Sequence, residues 1–118
     1  MPAWQAAHAL ICKDFLMIYV VATIQLTTGQ REAFLAEQRH LLPLVLSEAG
    51  CIEYAPSIDI AVSDPPKTPL RDNVVVMQEK WESLDALKAH FVAPHMATFR
   101  EKVKQMVVGI KVEVFESV

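Results

Sequence analysis

The chain has 118 residues, 53% of them hydrophobic and 21% charged, which is material for one packed domain and excludes disorder. With 11 Lys+Arg against 14 Asp+Glu the formal net charge is −3, so the basic footprint of a nucleic-acid-binding surface is missing. Two cysteines, Cys12 and Cys51, are too few for a disulfide scaffold and lack metal-ligand spacing; they read as reduced thiols of a cytoplasmic protein.

Residues 1–16 allow two readings. Ala6 to Cys12 is apolar, but no basic segment precedes it and Lys13 follows it, an order that does not suit a secretory signal. The segment is either an upstream extension, with Met17 as an alternative start, or an N-terminal helix packing Trp4 and Leu10 on the domain. The domain proper is placed at 17–118. The longest nearly apolar run, Phe15 to Leu26, is about twelve residues and falls short of the roughly twenty that a membrane-spanning helix needs.

Met17 to Leu26 predicts a strand, rich in Ile, Val, Tyr and Thr. Ile18, Val20, Ala22, Ile24 and Leu26 share the face expected in the core; Tyr19, Val21, Thr23 and Gln25 share the other, mixed in polarity as a pocket wall would be. Gln30 to Ala49 predicts a long helix, with Phe34, Leu41, Leu42, Val45, Leu46 and Ala49 at helical spacing. Gly29 is expected at its N-cap and Gly50 at its left-handed C′ position. Pro43 inside it should kink it.

Cys51 to Val62 predicts a second strand, which Pro56 demotes to an edge or marks as bulged. Ser63 to Asp72, with Pro65, Pro66 and Pro69, is a loop. Asn73 to Trp81 predicts a third strand with Val75, Met77, Glu79 and Trp81 on one side. Ser83 is a good N-cap for a short helix carrying Leu84, Leu87 and Phe91. Pro94 restarts a further helix with Met96, Phe99, Val103 and Met106, which Gly109 ends. Ile110 to Phe115 predicts the last strand.

The order β-α-β-β-α(α)-β is that of an α+β, ferredoxin-like βαββαβ sandwich, one antiparallel sheet with helices on one face. The opposite face is assigned Val21, Val75, Met77 and Trp81, an apolar patch that a second copy should cover. A homodimer pairing two sheets would enclose a cavity in each half.

Gly50-Cys51 with Tyr54, the run Glu79-Lys80-Trp81-Glu82-Ser83, Ala86-Leu87 with His90, and Pro94-His95 with Phe99 together resemble the antibiotic biosynthesis monooxygenase family, which includes small quinol monooxygenases. The resemblance covers about Met17 to Phe115. It implies a dimeric α/β barrel of ferredoxin-like protomers. It also implies oxygenation of electron-rich phenols or hydroquinones without metal or flavin. Haem-degrading relatives of this fold use an Asn on the first strand, where this chain has Thr23, Ile24 and Gln25. A related isomerase of a phosphorylated sugar derivative has a similar His and Pro-His spacing and stays as an alternative, as does a non-catalytic ligand-binding dimer.

Candidate catalytic residues are His90, His95 and Glu79; candidate substrate-binding residues are Trp81, Tyr54, Tyr19, Thr23, Met77 and Phe99. Trp81 fits either core or a surface on which a planar aromatic stacks. Glu79 on the same face is either a paired carboxylate or a base for a phenol proton. His95, in the first turn of a helix, is expected to stay neutral; His90, near a helix C-terminus, is expected to lean toward the charged form. Each is otherwise a satisfied or surface histidine. Their spacing of five misses the i, i+4 geometry of a helical metal pair. Tyr54 is either a packing residue or a hydrogen-bond partner for a substrate oxygen, and Cys51 an inert thiol.

Overall fold

Strand β1 (Ile18–Leu26) lies at the centre of a four-stranded antiparallel sheet of order β2-β3-β1-β4, with β2 at Cys51–Ser57, β3 at Val74–Trp81 and β4 at Val107–Glu116. Three helices connect them: α1 (Arg31–Leu46), α2 (Leu84–Phe91) and α3 (Pro94–Val103). This computed structural model describes residues 16–62 and 69–118. The readings placed on residues 1–15, with Trp4, Leu10 and Cys12, and on Pro65 and Pro66 lie outside the described residues. The architecture is the expected α+β ferredoxin-like sandwich.

Alternation along β1 works as expected. Ile18, Val20, Ala22, Ile24 and Leu26 are buried under the helices, while Tyr19 and Gln25 are exposed. On α1, Phe34, Gln38, Leu41 and Val45 fall on one stripe and are buried. The helix runs through Pro43 and ends at Leu46, three residues before the expected boundary. Gly29 and Gly50 both have positive φ, but each stands in a turn outside the helix rather than capping it. Ser83 caps α2 as expected, its hydroxyl accepting the Ala86 N–H at 3.1 Å. Pro94 opens α3 at a position where its missing N–H costs nothing.

The assignment of Val75, Met77 and Trp81 to the open sheet face is corrected by register. Ile18 pairs with Trp81, Val20 with Glu79, Ala22 with Met77 and Ile24 with Val75, and directly opposed residues share a face. All four β3 residues are therefore buried on the helix side. The open face presents Tyr19, Val21 and Thr23 against Lys80, Gln78 and Val76, which is not the continuous apolar patch expected. Exposed apolar side chains gather instead on β4, where Val108, Ile110, Val112, Val114 and Phe115 stand out to solvent. Ile110, Val112 and Val114 pair with the buried residues of β1, but the helices do not extend over them.

Two strand boundaries also differ from expectation. β2 stops at Ser57, not Val62, because beyond the Ser57–Val76 rung β3 has only two residues left. Ile58, Ile60 and Val62 are exposed, and Asp59 accepts two hydrogen bonds from the Arg71 guanidinium at 2.8 Å, tying the two sides of the connection. β2 is an edge strand, as Pro56 suggested; its register shift lies between Cys51 and Glu53, away from Pro56, which pairs with Met77. The last helix ends at Val103, and Gly109 lies inside β4 opposite Gln25, beside a register shift. Gly109 therefore does not end a helix.

Candidate active site

Between the sheet and the helices lies a cavity of about 450 Å³, within the size range of small-molecule sites. Val20, Ala22 and Ile24 of β1, Met77 of β3, Phe34 of α1 and Phe99 of α3 are among its apolar lining. Phe34 and Phe99 meet edge to face, centroids 5.7 Å apart. Gln38, Tyr54, Glu79 and His90 supply buried polar groups, and the exposed Arg100 and Lys104 also border it.

His90 is fixed from three sides. It sits in the last turn of α2 and is 2% exposed. The Trp81 ring lies against it at 4.7 Å between centroids, and Tyr54 meets it edge-on at 5.5 Å. The third support is Glu48, in the turn after α1. His90 Nδ1 lies 2.9 Å from Glu48 Oε2, and His95 Nε2 lies 2.6 Å from the same oxygen. A carboxylate can only accept, so each of these nitrogens carries the proton and donates. His90 is thereby held as the Nδ1–H tautomer, with Nε2 left unprotonated.

Glu48 reaches both histidines because the turn behind it packs tightly on α2. Gly50 has φ +82°, and a Cβ there would lie 2.6 Å from the Ala86 Cβ. Only glycine meets both demands. The Glu82 N–H donates to the Gly50 carbonyl at 2.8 Å, pinning the turn to the end of β3.

Burial holds the His90 imidazole below its ordinary value, while the Glu48 carboxylate pulls it upward. The expected lean toward the charged form is thus corrected: desolvation outweighs the helix C-terminus. Burial pushes Glu79 up to about 7, against the stabilising Trp81 Nε1–H, which donates to Glu79 Oε1 at 3.0 Å; the nearby Glu48 charge pushes it up further. Tyr54, directly opposite Glu79 in the sheet, is raised above the ordinary phenol value by burial and by Glu79, while the Gln38 amide pulls it down. Cys51 rises to about 11 through burial and the charges of Glu48 and Glu79, which keeps its thiol protonated.

The structure thus brings Glu79, His90, Tyr54, Met77 and Phe99 to one cavity. Trp81 stands behind the polar end, wholly buried, joining Glu79 to His90. His95 lies behind Glu48, its ring in a separate surface groove with Glu37 and His40. Tyr19 and Thr23 do not line this cavity: they share the open sheet face, across the sheet from it, and Tyr19 packs under the Lys80 ammonium at 5.3 Å. The cavity belongs to the helix side, so a pocket between two paired sheets is not where these residues converge.

Gln38 and Glu48 were missed. Gln38 had a readable signal, a polar residue four after Phe34 and three before Leu41 on an apolar stripe. Glu48 had none, since its partners lie 42 and 47 residues along the chain. Among the described residues no three His, Cys, Asp or Glu side chains converge as metal ligands, and no helix is long and apolar enough to cross a membrane.

The family model for antibiotic biosynthesis monooxygenase matches residues 17–102. The chain is 35% identical over 102 residues to the probable quinol monooxygenase YgiN of Escherichia coli, across 85% of this chain and 97% of that protein. In fold it is similar to the crystal structure of PA3566 from Pseudomonas aeruginosa, with a TM-score of 0.72 and 24% identity over 86% of this chain and 94% of that one. A conserved protein from Methanosarcina mazei superposes with a TM-score of 0.71 at 20% identity, over 87% and 94% of the two chains.

Proposed function

The chain belongs to the antibiotic biosynthesis monooxygenase family, and on that premise we propose that it oxygenates an aromatic phenol or hydroquinone without metal or flavin. The observation that carries this reading is His90: a buried imidazole, oriented by Glu48, at the polar end of an otherwise apolar cavity. The largely apolar wall, with Phe34 and Phe99 meeting edge to face, suits a flat aromatic, whereas the isomerase alternative would draw on Arg100 and Lys104 at the border.

In this reading His90 Nε2 takes the proton of a substrate hydroxyl. The phenolate passes one electron to dioxygen, and the semiquinone and superoxide radicals join through a ring carbon–oxygen bond. His90 returns its proton to the terminal peroxide oxygen. The ring C–H proton then leaves as the O–O bond breaks, giving a hydroxyquinone and water. One oxygen atom enters the product and the other becomes water, so dioxygen takes all four electrons from the hydroquinone. The protein supplies positioning, proton transfer and exclusion of bulk water. Glu79, protonated below about pH 7, can donate a hydrogen bond to a second substrate oxygen.

Oxygen consumption with a panel of hydroquinones and anthrones tests the proposal. Uptake above the autoxidation control is expected with at least one of them, and His90→Gln should lower kcat by roughly 10²–10⁴. No uptake above the control with any member would remove the support.

A further inference from the structure

Gln38 occupies the position on the α1 stripe between Phe34 and Leu41, where the neighbouring core residues are apolar. It is 1% exposed, and its Oε1 is the one buried side-chain oxygen or nitrogen among the described residues without a hydrogen-bond partner. An amide carbonyl left unpaired in the interior weakens folding by roughly 10- to 100-fold. An apolar residue of similar size would avoid that penalty. The side chain also borders the cavity, together with Tyr54, Glu79 and His90. The amide turns its N–H toward the Tyr54 phenol, which leaves the carbonyl pointing elsewhere; a carbonyl oxygen only accepts, so in this orientation what completes it is a donor on whatever enters.

We infer that Gln38 is a specificity-determining residue whose Oε1 accepts a hydrogen bond from a ligand hydroxyl, so that the cavity selects aromatics with a free O–H over their methyl ethers. The choice of a hydroxylated aromatic rests on the function proposed above; the discrimination rests on the orphan carbonyl. A dihydroxy ligand gives one O–H to Gln38 and leaves the other to His90. A fully oxidised quinone has no O–H to give, so it leaves Oε1 unpaired again and binds more weakly than its reduced form. A site built around an acceptor rejects analogues without the donor more strongly than an apolar wall rejects added bulk.

The test is anaerobic titration calorimetry of the full chain with 1,4-naphthalenediol and with 1,4-dimethoxynaphthalene, where no turnover can occur. The wild type should bind the diol about 10- to 100-fold more tightly. Gln38→Leu and Gln38→Met, both apolar and near in volume, should bring that preference to within about threefold while the ether binds at least as well as before. Both should also melt at a higher temperature than the wild type without ligand. Equal affinities in the wild type would overturn the inference, and that measurement needs no variant to fold. So would an undiminished preference in either variant, or no binding of the diol at millimolar concentration. Discrimination that depends on Gln38, alongside no oxygen uptake, would sink the monooxygenase reading and leave this inference standing.

Discussion

At the scale of single residues, Glu48 holds two imidazoles with one oxygen, so replacing it should disturb the base without touching the cavity wall. Glu48→Gln is expected to lower kcat/KM about 10²- to 10³-fold through loss of the tautomer. The carboxylate pulls the His90 imidazole upward, so the acid limb of the pH–rate profile should move to lower pH in the variant; a limb that stays put or rises would refute the role. Glu79 makes a second prediction. Its folded value of about 7 exceeds the ordinary 4.5, so between these pH values the unfolded chain ionises while the folded chain does not. Stability therefore falls as pH rises through that window, by on the order of 3 kcal/mol in total. His90 acts oppositely: its folded value is lowered, so stability is lost as pH falls below about 6.5. Glu79→Gln keeps an acceptor for the Trp81 N–H, and urea unfolding should find it more stable than the wild type at pH 8 by up to about 3 kcal/mol, with little difference at pH 4. The family resemblance singled out Glu79, Trp81 and His90, and the structure places them together at one end of the cavity; the charge state of His90 is not legible, because helix position is visible in a sequence and burial is not.

Among the elements, the turn from α1 to β2 carries more than its length suggests. Gly29 and Gly50 share a positive φ, yet only Gly50 has a neighbour where a side chain would go. Gly50→Ala should cost about 2–4 kcal/mol, from the left-handed backbone and the clash with Ala86, and Gly29→Ala only about 1 kcal/mol. Chemical denaturation of the two variants checks this; equal losses would mean that the contact with α2 adds nothing. The elements themselves were legible because period 2 and period 3.6 were both clean in β1 and α1. What was not legible was how β3 faces relative to β1. Parity within one strand says which residues travel together, but a one-residue change of register moves the whole set to the other side. That is why Val75, Met77 and Trp81 were grouped correctly and placed on the wrong face.

For the whole molecule, the unresolved demand is β4, an edge strand with exposed aliphatic side chains, including Ile110 at 61% and Val108 at 69%. Such an edge invites pairing. A homodimer is the expected state, with β4 rather than the open sheet face as its contact. Sedimentation at low micromolar concentration should find it, and Val114→Glu should shift it toward monomer; a folded, soluble wild-type monomer would refute it. Ile110 and Val112 belong at once to this exposed strand and to the lining of the cavity. A second chain lying along β4 would therefore form part of the cavity's lip. Occupancy and assembly then become linked equilibria: specific activity per chain should fall on dilution, and saturating ligand should carry the dimer to lower concentrations before it dissociates.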